Sequence, residues 1–387
     1  MYNQCMEWLT GGRAGEAKRL VLQLNDPVKS AHAAQSLVLM GAEAVPGLIE
    51  ALLSTDAALV QPAEQALVHI GRPGLGLLSK ALNEDHPIIR AHVAEVLGAM
   101  KYEEALPALS NALRGGFYTV RPQAALALGQ IGDPQAVPGL TIALKDSESD
   151  VRAAAALALA SMNDPRTFEV IGDLLFDDPQ MEVRQAVARA LGGTRRAEAI
   201  PYLMDSLRDS FWWYERDQAV LDLLGAIAGF GRAVVPNLIE ALSDKEGTVR
   251  KFAAMLLARL PDERALEPLS ISLYDTHPDV CKASAEALAA IGAPALPILL
   301  DALQHPEAWI RQQAVMGLTK THDAQVVPAL LNLLGDESRE VRKQAVESLG
   351  QLQDMRALPS LQGLAASRTD REMAALARRA IQSIQPA

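Results

Sequence analysis

The stretch VRPQAALALGQIGDPQAVPGLTIALKDSESDVR (residues 120–152) decides the fold. Behind its opening Val120-Arg121, small and apolar residues recur three and four apart, the period of an amphipathic helix with a face small enough for close helix packing. Gly132 suits a helix stop, Asp133 the cap of a second helix and Pro134 that helix's first position. Pro138 lies early in the second helix, where its missing N–H costs little or produces a local kink. The stretch closes on Val151-Arg152, which repeats its opening pair. One unit is therefore a pair of antiparallel helices, an outer A helix and an inner B helix.

The same unit runs outward in both directions. The Ala51-Leu52 slot behind Pro46 recurs at Ala81-Leu82, Ala112-Leu113, Ala143-Leu144, Leu174-Leu175, Ser206-Leu207, Ala241-Leu242, Ser272-Leu273, Ala302-Leu303, Leu333-Leu334 and Leu364-Ala365. The steps are 30 to 32 residues, except for one of 35. The Val-Arg slot keeps step at Ile89-Arg90, Val120-Arg121, Val151-Arg152, Val183-Arg184, Val249-Arg250, Ile310-Arg311 and Val341-Arg342, with Val28-Lys29, Val60-Gln61 and Val280-Cys281 as variants. Such periodicity marks a repeat architecture. About twelve units fit, the last B helix being expected near Thr369–Ile384 and a short capping helix at Tyr2–Leu9. No linker separates them, so one elongated domain over 1–387 is expected, with 1–41 as N-terminal cap and first unit, 208–220 as an aromatic insertion and 355–387 as a C-terminal capping unit. Helices spaced about 8–10 Å apart give a curved rod some 100–120 Å long.

Composition agrees. Hydrophobic residues make up 49% of the 387, aromatics only 4%, so the core is built from Ala, Leu, Val and Ile. The net charge of −11 argues against a general nucleic-acid binder. Cys5 and Cys281 define neither a disulfide framework nor a metal site. No apolar run approaches a membrane span, and MYNQCMEWLT lacks the features of a signal peptide, so a soluble, cytoplasmic chain is expected.

The phrase at 120–152 resembles the HEAT-like repeat named after the phycobilisome bilin lyases, with its pattern V-R-x-x-A-A-x-A-L-G-x-I-G-D-x-x-A-V-P-x-L. The resemblance covers almost the whole chain. It implies an all-α fold, an α-solenoid wound as a right-handed superhelix of about twelve helix pairs. It leaves function open, since such repeats occur in bilin lyases, in a di-iron hydroxylase and in non-enzymatic scaffolds.

The arginine of the Val-Arg pair sits at the unfavourable end of a helix dipole. An acid lies six residues earlier in Asp146/Arg152, Asp178/Arg184, Asp244/Arg250 and Asp336/Arg342. A repeated Asp–Arg contact that ties the A–B turn and stacks between units is expected, in preference to an arginine ladder for anions. The 35-residue step contains RDSFWWYERDQAV (208–220). Insertions in repeat proteins often mark the binding face. Consecutive helical residues are 100° apart, so Phe211, Trp212, Trp213 and Tyr214 cannot all face a core. Phe117-Tyr118 and Trp309 share their place before a B helix. These seven aromatics and Arg216 are the candidate protein-binding residues, either anchoring a partner or filling wider gaps between units.

Candidate chemistry is sparse. The pairs His86-Pro87, His277-Pro278 and His305-Pro306 read as turn residues before helix-opening prolines, and His32, His69 and His92 as ordinary B-helix residues. No His-Glu dipeptide of the di-iron hydroxylase occurs, nor a G-x-S-x-G elbow, and GRPGLG (71–76) lacks phosphate-loop spacing. Neither a catalytic residue, a cofactor nor a metal is expected. The reading is a non-enzymatic scaffold that binds a basic or amphipathic segment of a partner protein in the groove of the solenoid. The alternative is a bilin lyase or bilin chaperone, with Trp212, Trp213, Tyr214 and Arg216 stacking and pairing an acidic tetrapyrrole.

Overall fold

The computed structural model describes residues 12–214 and 217–385. Among them all regular structure is helical, in two compact units divided between Leu203 and Met204. The first holds α1 (Arg13–Val21), α2 (Ser30–Met40), α3 (Val45–Ala51), α4 (Ala57–Ile70), α5 (Arg72–Ala81), α6 (Pro87–Met100), α7 (Leu106–Arg114), α8 (Arg121–Ile131), α9 (Val137–Ala143), α10 (Ser149–Ser161), α11 (Phe168–Gly172), α12 (Leu174–Asp177) and α13 (Met181–Thr194). Helix α14 (Ile200–Ser206) spans the division. The second holds α15 (Asp217–Ala228), α16 (Val235–Ala241), α17 (Gly247–Arg259), α18 (Leu266–Ser272), α19 (Pro278–Ile291), α20 (Leu296–Ala302), α21 (Ala308–Lys320), α22 (Val327–Asn332), α23 (Arg339–Leu352), α24 (Leu358–Ala365) and α25 (Arg371–Ile384). Taking α11 and α12 as one broken A helix, these are twelve A–B pairs, as the period predicts. The expected cap at Tyr2–Leu9 lies outside the described residues.

Most A helices start more tightly than the sequence suggests. Residues Pro134–Ala136 form a 3₁₀ turn, and the α-helix begins only at Val137. The Asp133 carboxylate accepts from the Gln135 N–H, and the Val137 N–H reaches the Pro134 carbonyl. Pro138 suits this start, because it has no N–H to return to that carbonyl in an α-helical bond. Pro46, Pro107, Pro236, Pro297, Pro328 and Pro359 stand at the same place after their own 3₁₀ turns. At the other end of α8, Gly132 takes a φ of 76° and closes the helix, as its place in the sequence predicts.

Successive B helices pack most extensively on one another, α6 on α8 and α8 on α10 in the first unit, α17 on α19 and α23 on α25 in the second. Small residues make this possible. A Cβ added to Gly98 would stand 2.7 Å from Ala127 Cα, one added to Gly129 2.6 Å from Ala158 Cα, and one added to Gly350 2.9 Å from Ala380 Cα. Leucines such as Leu97, Leu128 and Leu159 fill the space between A and B layers and are wholly or almost wholly buried. Each contributes about 1.5–3 kcal/mol by leaving water.

Candidate functional site

The A–B turns are organised by the arginine of the Val-Arg pair, though not quite as sequence spacing suggests. Arg152 donates through Nη1 to the backbone carbonyl of Asp146 in its own turn (2.9 Å). Its Nε and Nη2 instead grip the carboxylate of Asp178, one unit further on, at 2.6 and 2.9 Å. Arg250 does the same with the Asp244 carbonyl and the Asp275 carboxylate, and Arg311 with the His305 carbonyl and the Asp336 carboxylate. Arg342 keeps the carbonyl contact to Asp336 at 2.6 Å. The expected Asp–Arg contact within one turn thus runs through the backbone, while the charge pair links neighbouring units. A planar guanidinium fork reaches two turns at once, and the second carboxylate offsets the unfavourable helix dipole.

The aspartates are also turn caps. Oδ1 of Asp178, Asp244, Asp275 and Asp336 accepts the N–H two residues on. Burial alone pushes the Asp275 carboxyl up, but hydrogen bonds from Arg250 and the His277 N–H and the Arg250 charge outweigh it, holding the pKa at about 2. Where an acid is missing the ladder adapts. Gly115 stands 25 residues after Arg90, and the Arg90 guanidinium lies 3.6 Å from the Phe117 ring centroid instead. Cys281 replaces the arginine in its unit, its thiol donating to the Asp275 carbonyl at 3.0 Å. Burial and the Asp275 charge push this thiol up to about 11.

On this frame the seven candidate aromatics separate. In the first unit Phe117 covers Arg90 with half its surface exposed, and Tyr118 beside it is 62% exposed. In the second, the Asp209 carboxylate caps a 3₁₀ turn at Ser210–Trp212 that drives Trp212 inward. Trp212 is 0% exposed, which removes it from any contact surface and makes it the packing anchor of the insertion. Phe211 and Trp213 are half-buried, and Trp213 Nε1 is shielded from water with no hydrogen-bond partner among the described residues. Tyr214 is 66% exposed. Trp309, half-buried at the start of α21, is separated from the insertion by the pairs containing α17 and α19. Arg216 lies outside the described residues.

Sequence reading passed over two further features. Tyr274 stacks on His305 with ring centroids 5.2 Å apart, beside the Arg311–Asp336 turn. In the B layer, His92 Nδ1 lies 2.6 Å from Glu64 Oε1, with Glu95 close by. Burial and the Glu64 charge push the Glu95 carboxyl upward. The sequence signal was slight, His92 and Glu95 lying three residues apart on α6. Among the described residues no single helix is long and apolar enough to cross a membrane.

Comparison with known proteins agrees with this geometry. Among curated proteins, an uncharacterized phycocyanin operon protein Z of Pseudanabaena tenuis (strain PCC 7409) is 36% identical over 138 residues. That match covers 33% of this chain and 66% of the relative, a little under two thirds of its length. Among solved structures, Kap121p bound to Pho4p superposes over 98% of this chain with a TM-score of 0.58, and Kap121p bound to Ste12p over 98% with 0.57. Both are 14% identical to it, and the chain spans about half of their length (50%), so the likeness is one of fold. The HEAT repeats family matches residues 75–160, 137–224, 218–289, 235–313 and 296–382. With helix pairs, ladder and family match in agreement over most of its length, this chain belongs to the HEAT-repeat family.

Proposed function

We propose that this chain is a non-enzymatic scaffold that binds a segment of a partner protein through its A–B junctions and B-helix face. The observation that carries the reading is the exposure of Tyr118 and Tyr214 just ahead of the B helices α8 and α15. A rigid tyrosine supplies contact area at low entropic cost. Phe117, Phe211, Trp213 and Trp309 extend the same junctions, and Arg216 is proposed beside Tyr214 as a polar contact. The net charge of −11 favours a basic or amphipathic partner segment. Kap121p, similar in fold, is described in complex with several proteins, which supports the same use of this architecture.

The test begins with capture from native lysate and identification by mass spectrometry. The captured protein is then purified and titrated against wild type and Tyr118→Ser/Tyr214→Ser. One-to-one binding weakened about tenfold or more in the variant is the expected result. Equal affinity discards the aromatic site, and absence of binding between the purified proteins discards the scaffold.

A second reading, handling of a bilin, draws on the identity to the phycocyanin operon protein. Chain purified from cells producing phycocyanobilin is colourless if the scaffold reading holds, and carries stoichiometric pigment if the second reading replaces it.

A further inference from the structure

The strongest unassigned chemistry lies in the B layer of the first unit. Helices α4 and α6 place Glu64, His92 and Glu95 so that a carboxylate oxygen of each glutamate and an imidazole nitrogen all lie within 4.8 Å of one another. His92 and Glu95 are three residues apart on one face of α6, and Glu64 stands on the neighbouring B helix α4. Two carboxylates and one imidazole are a mixed oxygen and nitrogen donor set, suited to a divalent first-row transition metal. Donors around such an ion stand about 3 Å apart, so binding requires the three side chains to close in by the remaining distance.

A second observation lies on α8. Gln123 occupies the slot of His92 one repeat later, and its Oε1 is shielded from water without a hydrogen-bond partner. Gln123, Glu64 and Glu95 line one cavity of about 520 Å³, which also includes Gln130 and an apolar floor of Val96, Leu126 and Ala127. Three protein ligands leave coordination positions open for water or an exogenous donor.

We propose that Glu64, His92 and Glu95 bind a single divalent first-row transition metal, zinc or manganese in class, with its open positions facing the cavity beside Gln123. The ion replaces the hydrogen bond between His92 Nδ1 and Glu64 Oε1, the neutral imidazole keeping its proton on Nε2.

The test is isothermal titration of the metal-free full chain with Zn²⁺ and separately with Mn²⁺, with Mg²⁺ as comparison. One ion per chain and weaker binding of Mg²⁺ are expected. His92→Gln and Glu64→Gln should each weaken binding at least tenfold, whereas His32→Gln, on α2, should leave it unchanged. Addition of Co²⁺ to wild type should give visible d–d bands that Glu95→Gln alters, a readout at an exposed position where folding is not at stake. The proposal is overturned if neither Zn²⁺ nor Mn²⁺ binds, or if all three ligand variants, folded by circular dichroism, bind as wild type does.

Discussion

The closest helix approach makes a demanding prediction, because one substitution should have opposite signs at two glycines of the same layer. In Gly129→Ala the new methyl would lie 2.6 Å from Ala158 Cα, 2.7 Å from its Cβ and 3.0 Å from its carbonyl oxygen. Comfortable carbon contact is about 3.5–4.0 Å, so α8 and α10 must separate by roughly 1 Å, and the obstacle is backbone that cannot rotate away. Overpacking of this kind costs about 1–3 kcal/mol, and the upper part of that range applies here. Alanine returns up to about 1 kcal/mol of helix propensity. The net is a loss of about 1–2 kcal/mol. Gly193, in α13, has nothing within 4 Å of the same methyl, so Gly193→Ala keeps the propensity gain alone, about 0.5–1 kcal/mol. A long repeat array need not unfold in one step, so the assay is amide hydrogen exchange read helix by helix. Gly129→Ala should speed exchange in α8 and α10 roughly tenfold, and Gly193→Ala should slow it in α13. Unchanged or slower exchange in Gly129→Ala, or the same sign at both sites, would refute the close-packing argument.

Three further predictions concern the ladder. Asp178→Ala leaves the Arg152 guanidinium buried without its charge partner and should cost about 3 kcal/mol by denaturant titration, whereas Asp164→Ala, whose partner Arg166 is in solvent, should cost much less. The Asp275 carboxyl titrates at about 2 when folded against 3.8 unfolded, a depressed value, so its contribution is present above pH 4 and is lost as pH falls from about 4 to 2. Its size is of order 2 kcal/mol, and Asp275→Asn should flatten the acid limb of the stability curve by that amount; an unchanged limb would contradict the ion pair. Cys281, buried and with its thiol at about 11, should resist alkylation at pH 8 in a Cys5→Ser background and react quickly once denatured. Rapid labelling of the native chain would show that the α19 turn opens.

The bilin and scaffold readings also meet the metal site differently. Zinc or manganese at Glu64, His92 and Glu95 would leave the aromatic junctions untouched, so loss of partner binding in Tyr118→Ser/Tyr214→Ser and loss of metal binding in His92→Gln are independent outcomes.

What sequence alone determined about this protein is the unit and its repetition. A 31-residue period, a glycine or polar stop, a proline near each A-helix start and a small-residue B face are local facts. Their consequences are local too, because each helix pair packs mainly on its neighbours. The twelve pairs were therefore legible, as was the structural use of the arginine slot. Which carboxylate that arginine takes was not, since spacing favours the acid six residues back while the guanidinium reaches the next unit. Nor was the fate of four consecutive aromatics: a 3₁₀ turn capped by Asp209 decides that Trp212 enters the core and Tyr214 stays in water. The meeting of Glu64 with His92 and Glu95 is likewise a tertiary result. Glu64 lies 28 and 31 residues before His92 and Glu95, and only the packing of α4 against α6 brings the three side chains within reach of a single ion.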